Sequence, residues 1–128
     1  MKAAAPKRLL QAAMRARQRA YAPYSRYLVG AALQGKSGKI YTGCNIENAS
    51  YSATVCAERV ALFSAISQGE KAFKALAVVA NPGKKPWPCG VCRQVIGEFA
   101  PAIDIWVQSG KQCEHQTLEA IFPEPFLL

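Results

Sequence analysis

Cys89 and Cys92 stand three apart in "KPWPCGVCRQ". A cysteine pair so spaced serves as a redox dithiol, a zinc hook or half of an active site, and its neighbourhood alone does not choose among them. In the first turn of a helix, residues three apart lie on one side, so one metal ion can reach both sulfurs. Far upstream, Cys56 opens "CAERVALF". If it starts another helix, it can supply a third sulfur from across a crevice. Three protein ligands with a fourth position left to water is the arrangement of a catalytic zinc rather than a closed structural one. Glu58, two residues after Cys56, points off the ligand direction but stays near the metal. A carboxylate there can take a proton from water at the metal and hand it to a substrate.

Electrostatics bears on the same residues. The free N–H groups and positive dipole end of a helix start favour thiolate over thiol. Three thiolates on one Zn²⁺ nevertheless leave excess negative charge, which weakens the metal's power to acidify water. Arg59 and Arg93, each next to a ligand cysteine, are the available counterweights, and one or both are expected to donate to a cysteine sulfur.

The elements that must place these residues read as follows. Residues 7–21 have helical spacing, with Leu10, Met14 and Tyr21 taken as the packed side and Arg8, Arg15 and Arg19 on another. "YLVGAALQ" and "KIYTGCNI" read as strands joined across "GKSG". "CAERVALFSAISQ" reads as a helix stopped by Gly69, and "ALAVVA" as a buried strand. "NPGKKPWP" is a loop and "CGVCRQVIGEFA" a helix. "IDIWVQ" alternates as a strand should, and "TLEAIF" closes with a helical turn or two, with room for one more strand before it. This order predicts an α/β fold, three layers α/β/α with one mixed central sheet, over a single domain spanning 1–128. Both cysteine segments then fall at helix starts beside strand ends, where open sheets keep their sites. Asn45 and Glu47, two apart at a strand end, leave the same face and suit paired hydroxyls.

Composition narrows the class. No apolar run approaches the ~20 residues of a membrane span, and no secretory signal opens the chain, so a soluble protein of the reducing cytoplasm is expected. The net charge of +8 is concentrated early: nine Lys or Arg residues precede the first acidic one, Glu47. A solvated helix face accounts for them, and nucleic acid is a less favoured partner. Cys44 reads as a small buried strand residue. Cys113 and His115 are poor candidates for a fourth ligand, and Tyr24, Phe63, Phe73, Phe99 and Trp106 read as core or interface residues. Two rivals remain open. "WPCGVC" faintly echoes a redox W-C-G-P-C loop but leaves Cys56 and Glu58 without a purpose. A structural zinc module would need a fourth protein ligand.

The pattern H-x-E…P-C-x-x-C, with a third cysteine able to replace the histidine, is a known signature of zinc deaminases. It is met here as C-A-E…P-C-G-V-C. With "AYAPYSRYLVGAAL", "TGCNIENASY", "PCGVCRQVIGEF" and "TLEAIFPEPF" in order, the chain resembles the small homotetrameric cytidine deaminases over nearly its whole length. The resemblance implies hydrolytic deamination of cytidine and deoxycytidine to uridine and deoxyuridine, a pyrimidine-salvage reaction. It implies Zn²⁺ held by Cys56, Cys89 and Cys92, with water activated there attacking C4 while Glu58 shuttles protons. Asn45, Glu47, Tyr27, Ala57 and Phe126 are implied substrate contacts, and Tyr51 and Phe126 are implied to reach a neighbouring subunit's site in a homotetramer. Departures from the family pattern are Trp87 before Pro88, where a small residue is usual, Val91 for alanine, and Tyr27 for phenylalanine.

Overall fold

The computed structural model describes residues 5–128. In chain order its elements are α1 (Lys7–Arg17), β1 (Val29–Gly35), β2 (Ile40–Cys44), α2 (Ala57–Ser67), β3 (Phe73–Ala80), α3 (Gly90–Phe99), β4 (Asp104–Ser109), β5 (Gln112–Thr117) and α4 (Leu118–Ile121). The strands form one mixed sheet in the order β2-β1-β3-β4-β5, antiparallel except for the parallel β3–β4 pair. The layered α/β architecture expected from the sequence is borne out, and the last strand is present as β5.

β3 is central and covered on both faces, which is why "ALAVVA" is a continuous apolar run instead of an alternating one. Leu76, Val78 and Ala80 join the core beneath α2 and α3, with Leu62, Cys92, Ile96 and Ile105. Ala75, Ala77 and Val79 face α1, with Leu9, Ala13 and Trp106. Among the described residues, no helix is long and apolar enough to cross a membrane.

The helix side expected for α1 needs correction. Leu9, Leu10, Ala12 and Ala13 are its buried residues, whereas Met14 and Tyr21 are exposed. The helix also stops at Arg17, and Tyr21 instead forms a β-bridge with Ile46. Close approach selects the small residues: a Cβ added at Gly30 of β1 would stand 2.0 Å from the Ala13 carbonyl oxygen and 2.4 Å from the Arg17 nitrogen. Gly43 of β2 admits α2 in the same way, since its added Cβ would lie 2.5 Å from the Ala57 carbonyl oxygen. Because backbone cannot yield as a side chain can, Gly30→Ala is expected to destabilise the protein by about 1–3 kcal/mol or more. Urea denaturation checks this.

Of the aromatics read as core or interface, Phe73 and Trp106 are buried, while Tyr24, Phe63 and Phe99 are exposed.

One end of the sheet matters most. Val29, Cys44 and Ala80 lie across from one another through the pairs Gly30–Cys44 and Val29–Ala80. The β1 entry, the β2 exit and the β3 exit therefore meet at that end. The connections leaving β2 and β3 lead directly to Cys56 and Cys89.

Candidate active site

Cys56 and Cys89 are the N-cap residues of α2 and α3, both with extended backbone. Their sulfurs and that of Cys92, one turn into α3, lie within 4.8 Å of one another. The Cys56 and Cys89 sulfurs are 3.6 Å apart. That is far beyond a disulfide bond of about 2.05 Å. It is near the roughly 3.8 Å that two thiolates span when each sits about 2.3 Å from one tetrahedral Zn²⁺. The donor set therefore fits zinc. The local sequence explains the placement: Pro88 ends the loop and Gly90 and Val91 begin α3, so Cys89 sits at the helix mouth and Cys92 beneath it, fully buried.

Glu58 lies in the first turn of α2 and is only 5% exposed. Burial, and secondarily the negative charge of Cys56, pushes its carboxyl up to about 7. A group so poised accepts and returns a proton near neutrality with little cost either way. The neighbouring Cys92 thiol, with Arg59 and Cys89 beside it, holds Cys56 down to about 5. Cys92 is pushed upward by its nearness to Cys56 and by burial. A cation at the three sulfurs would displace the thiol protons.

The two arginines differ. Arg59 Nη2 donates to Cys56 Sγ at 3.5 Å. Its Nε is buried without a partner among the described residues, so the side chain is spent on that sulfur at some expense to its own satisfaction. Arg93 does not meet the sulfurs, so of the two expected counterweights it is Arg59 that donates to a cysteine. Its Nε donates to the Pro88 carbonyl at 2.7 Å and its Nη1 to that of Ile121 at 2.6 Å. Standing one turn beyond Cys89, Arg93 ties the loop end and the C-terminal end of α4 to α3.

A cleft of about 510 Å³ opens beside the sulfurs. Asn45, Glu47, Tyr27, Ala57, Glu58, Cys56 and Cys89 all line it. Asn45 Oδ1 accepts from the Val29 N–H at 2.9 Å, and its Nδ2 donates to the Tyr27 carbonyl at 2.8 Å. Glu47 accepts from the Tyr24 and Ser25 N–H groups at 3.0 and 3.1 Å and from the Ser25 hydroxyl. These bonds, led by that from the Ser25 hydroxyl, hold the Glu47 carboxyl below its ordinary range. Each side chain keeps unused hydrogen-bonding capacity toward the cleft.

Phe126 does not line the cleft. It is exposed, and its carbonyl accepts from Gln94 on α3. Trp87 lines the cleft while packing against the core. Sequence reasoning did not anticipate Ser25, Thr54 or the 84–86 stretch as walls; the loop composition of "NPGKKP" was the one available signal. Cys44 is half-buried on β2 and stands outside the sulfur cluster. His115 faces away on β5, its Nε2 2.7 Å from Asp104 Oδ1 and its ring 4.5 Å from that of Trp106.

Three sulfurs at two helix mouths, a buried carboxyl poised near neutrality and an adjoining polar-walled cleft define a zinc-dependent hydrolytic enzyme on a three-layer α/β frame. Residues 4–107 match the cytidine and deoxycytidylate deaminase zinc-binding region. A cytidine deaminase of Sporosarcina psychrophila is 47% identical over 121 residues, 93% of this chain and 89% of that protein. One of Halalkalibacterium halodurans is 54% identical over 94 residues, 73% of this chain and 71% of that protein. The crystal structure of cytidine deaminase from Burkholderia pseudomallei is 41% identical, with a TM-score of 0.89 over 96% of this chain and 100% of that one. The chain belongs to the zinc-dependent cytidine deaminase family.

Proposed function

We propose that the protein deaminates cytidine and deoxycytidine hydrolytically, water replacing the 4-amino group to give uridine or deoxyuridine and ammonia. The observation that carries this reading is the buried Glu58 carboxyl beside the three sulfurs at the floor of the cleft. Cys56, Cys89 and Cys92 hold the zinc. When bound, zinc supplies a Lewis acid that makes water nucleophilic near neutral pH. Glu58 accepts one proton from the attacking water and delivers it to ring N3, then takes the remaining proton of that oxygen, now on C4, and gives it to the amine, which departs as ammonia. Arg59 offsets the thiolate charge, so the sulfurs donate less electron density to the metal. Asn45 and Glu47 hold the ribose hydroxyls, and Tyr27 and Ala57 bound the ring.

The whole chain acts as one catalytic domain in the cytoplasm and assembles as a homotetramer whose neighbours complete each site. Tyr24, Tyr51 and Phe126, all exposed, support such contacts. Tyr24 and Tyr51 line a second hollow that shares Ser25, Glu47 and Thr54 with the cleft, while Phe126 takes its part from a neighbour.

A panel of cytosine and adenine nucleosides offered to the zinc-loaded protein tests the activity. Ammonia release with cytidine and deoxycytidine is expected. Turnover of adenosine alone, or of none of the panel, overturns it. Sedimentation at a mass other than four chains overturns the assembly.

A further inference from the structure

Tyr27 is held as a rigid post. Its N–H donates to Ser25 Oγ at 3.0 Å and its carbonyl accepts from Asn45 Nδ2 at 2.8 Å. Ser25 is fastened in turn to Glu47 through its N–H and its hydroxyl. The residue between them, Arg26, has a φ of 59°, a left-handed conformation uncommon outside glycine, so the backbone makes a definite bend there. From this post the Tyr27 ring packs against the core, and its hydroxyl donates to the Lys84 carbonyl at 3.0 Å. The bond crosses from one wall of the cleft to the other.

The segment it reaches has few other polar ties: Pro86 is buried and Trp87 packs against the core, but Lys84 and Lys85 are exposed. The loop 81–88 is anchored where it leaves β3: Asn81 Oδ1 accepts from Arg17 Nη2, Asn81 Nδ2 donates to the Arg26 carbonyl at 3.4 Å, and the Asn81 carbonyl accepts from Ser109 Oγ at 2.9 Å. At its other end, Arg93 holds the Pro88 carbonyl. Between those anchors, the polar contacts to 82–87 among the described residues are the Tyr27 bond and one ion pair, Lys85 Nζ to Glu114 Oε2 at 2.5 Å. Both partners of that pair are about half exposed, and such pairs add little. The 84–87 stretch carries Trp87 and forms one wall of the cleft.

We propose that the Tyr27 hydroxyl is a latch: by holding the Lys84 carbonyl it positions the 84–87 wall, and so sets how tightly the nucleoside is gripped. It takes no part in proton transfer. Tyr27 is thus a positioning residue, with a task its ring alone does not perform. A wall ordered beforehand need not be ordered on binding, and that ordering is a cost taken from affinity.

The inference rests on the activity proposed above, and two readouts keep the two apart. Tyr27→Phe retains the ring and its packing. In the ligand-free variant, acrylamide should quench the fluorescence of Trp87, which lines the cleft, more strongly than in the parent, while the buried Trp106 stays shielded in both. With cytidine, KM should rise about five-fold, the equivalent of one ordinary hydrogen bond, with a smaller change in kcat. Unaltered quenching overturns the latch, as does a fall in kcat at constant KM, which would put the hydroxyl in the chemical step. If the parent protein does not turn over cytidine, the proposed activity falls, and the quenching measurement still decides the latch.

Discussion

Glu58→Gln keeps its zinc and loses roughly 10³-fold or more in kcat, because the amide cannot ferry the proton that water must give up and the amine must receive. Zinc content by atomic absorption and turnover of cytidine, measured on one preparation, check both halves. Loss of zinc would recast Glu58 as a structural residue, and near-normal turnover would remove it from the proton path. The same substitution has a second consequence in zinc-free protein. A carboxyl near 4.3 in the unfolded chain is raised to about 7 in the fold. The folded protein therefore holds the extra proton between those values. Stability from this group is complete below about 4.3 and is lost as pH rises through 7. Glutamine carries no such penalty, so the zinc-free variant should melt above its parent at pH 8, and the gap should close toward pH 4.5. A gap that widened on acidification would contradict the buried, raised carboxyl.

The chemistry was legible in the sequence because it tolerates few residue types and few spacings. A metal gripped at two helix mouths needs cysteine at each N-cap and one turn inside α3, and 56, 89 and 92 meet that demand with no knowledge of the sheet. What packs where was less legible. Periodicity ranks α1 by side-chain bulk and so favours Met14, but the sheet presents Gly30 to that helix and rewards alanine at close range. The pairing of Arg93 was hidden for a similar reason. Its partners are the carbonyls of Pro88 and Ile121, and the second arrives from 28 residues away. Tyr27 illustrates the limit in another form. Sequence marks it as an aromatic at the pocket, yet its hydroxyl meets a carbonyl on a loop 57 residues later, a meeting that the antiparallel register of β1 and β3 arranges.

Cys89 offers the cleanest test of the metal grip. Cys92 is fully buried beneath α3, so truncating it opens a cavity and confuses packing with ligation. Cys89 is exposed at the helix mouth, where loss of its sulfur removes little packed surface. In Cys89→Ala two sulfurs remain, zinc is shed on dialysis, and deamination falls to background while the melting of the zinc-free form stays close to that of the zinc-free parent. Arg59→Ala provides the contrast. It keeps all three sulfurs but strips the guanidinium from Cys56, so zinc affinity should weaken roughly 10- to 100-fold. Added zinc should refill that site and restore part of the rate, whereas it should not restore Cys89→Ala. The two variants thus separate holding the ion from tuning it. Equal recovery of both with added zinc would mean that Cys89 is no ligand and that the ion is held by a different set of groups.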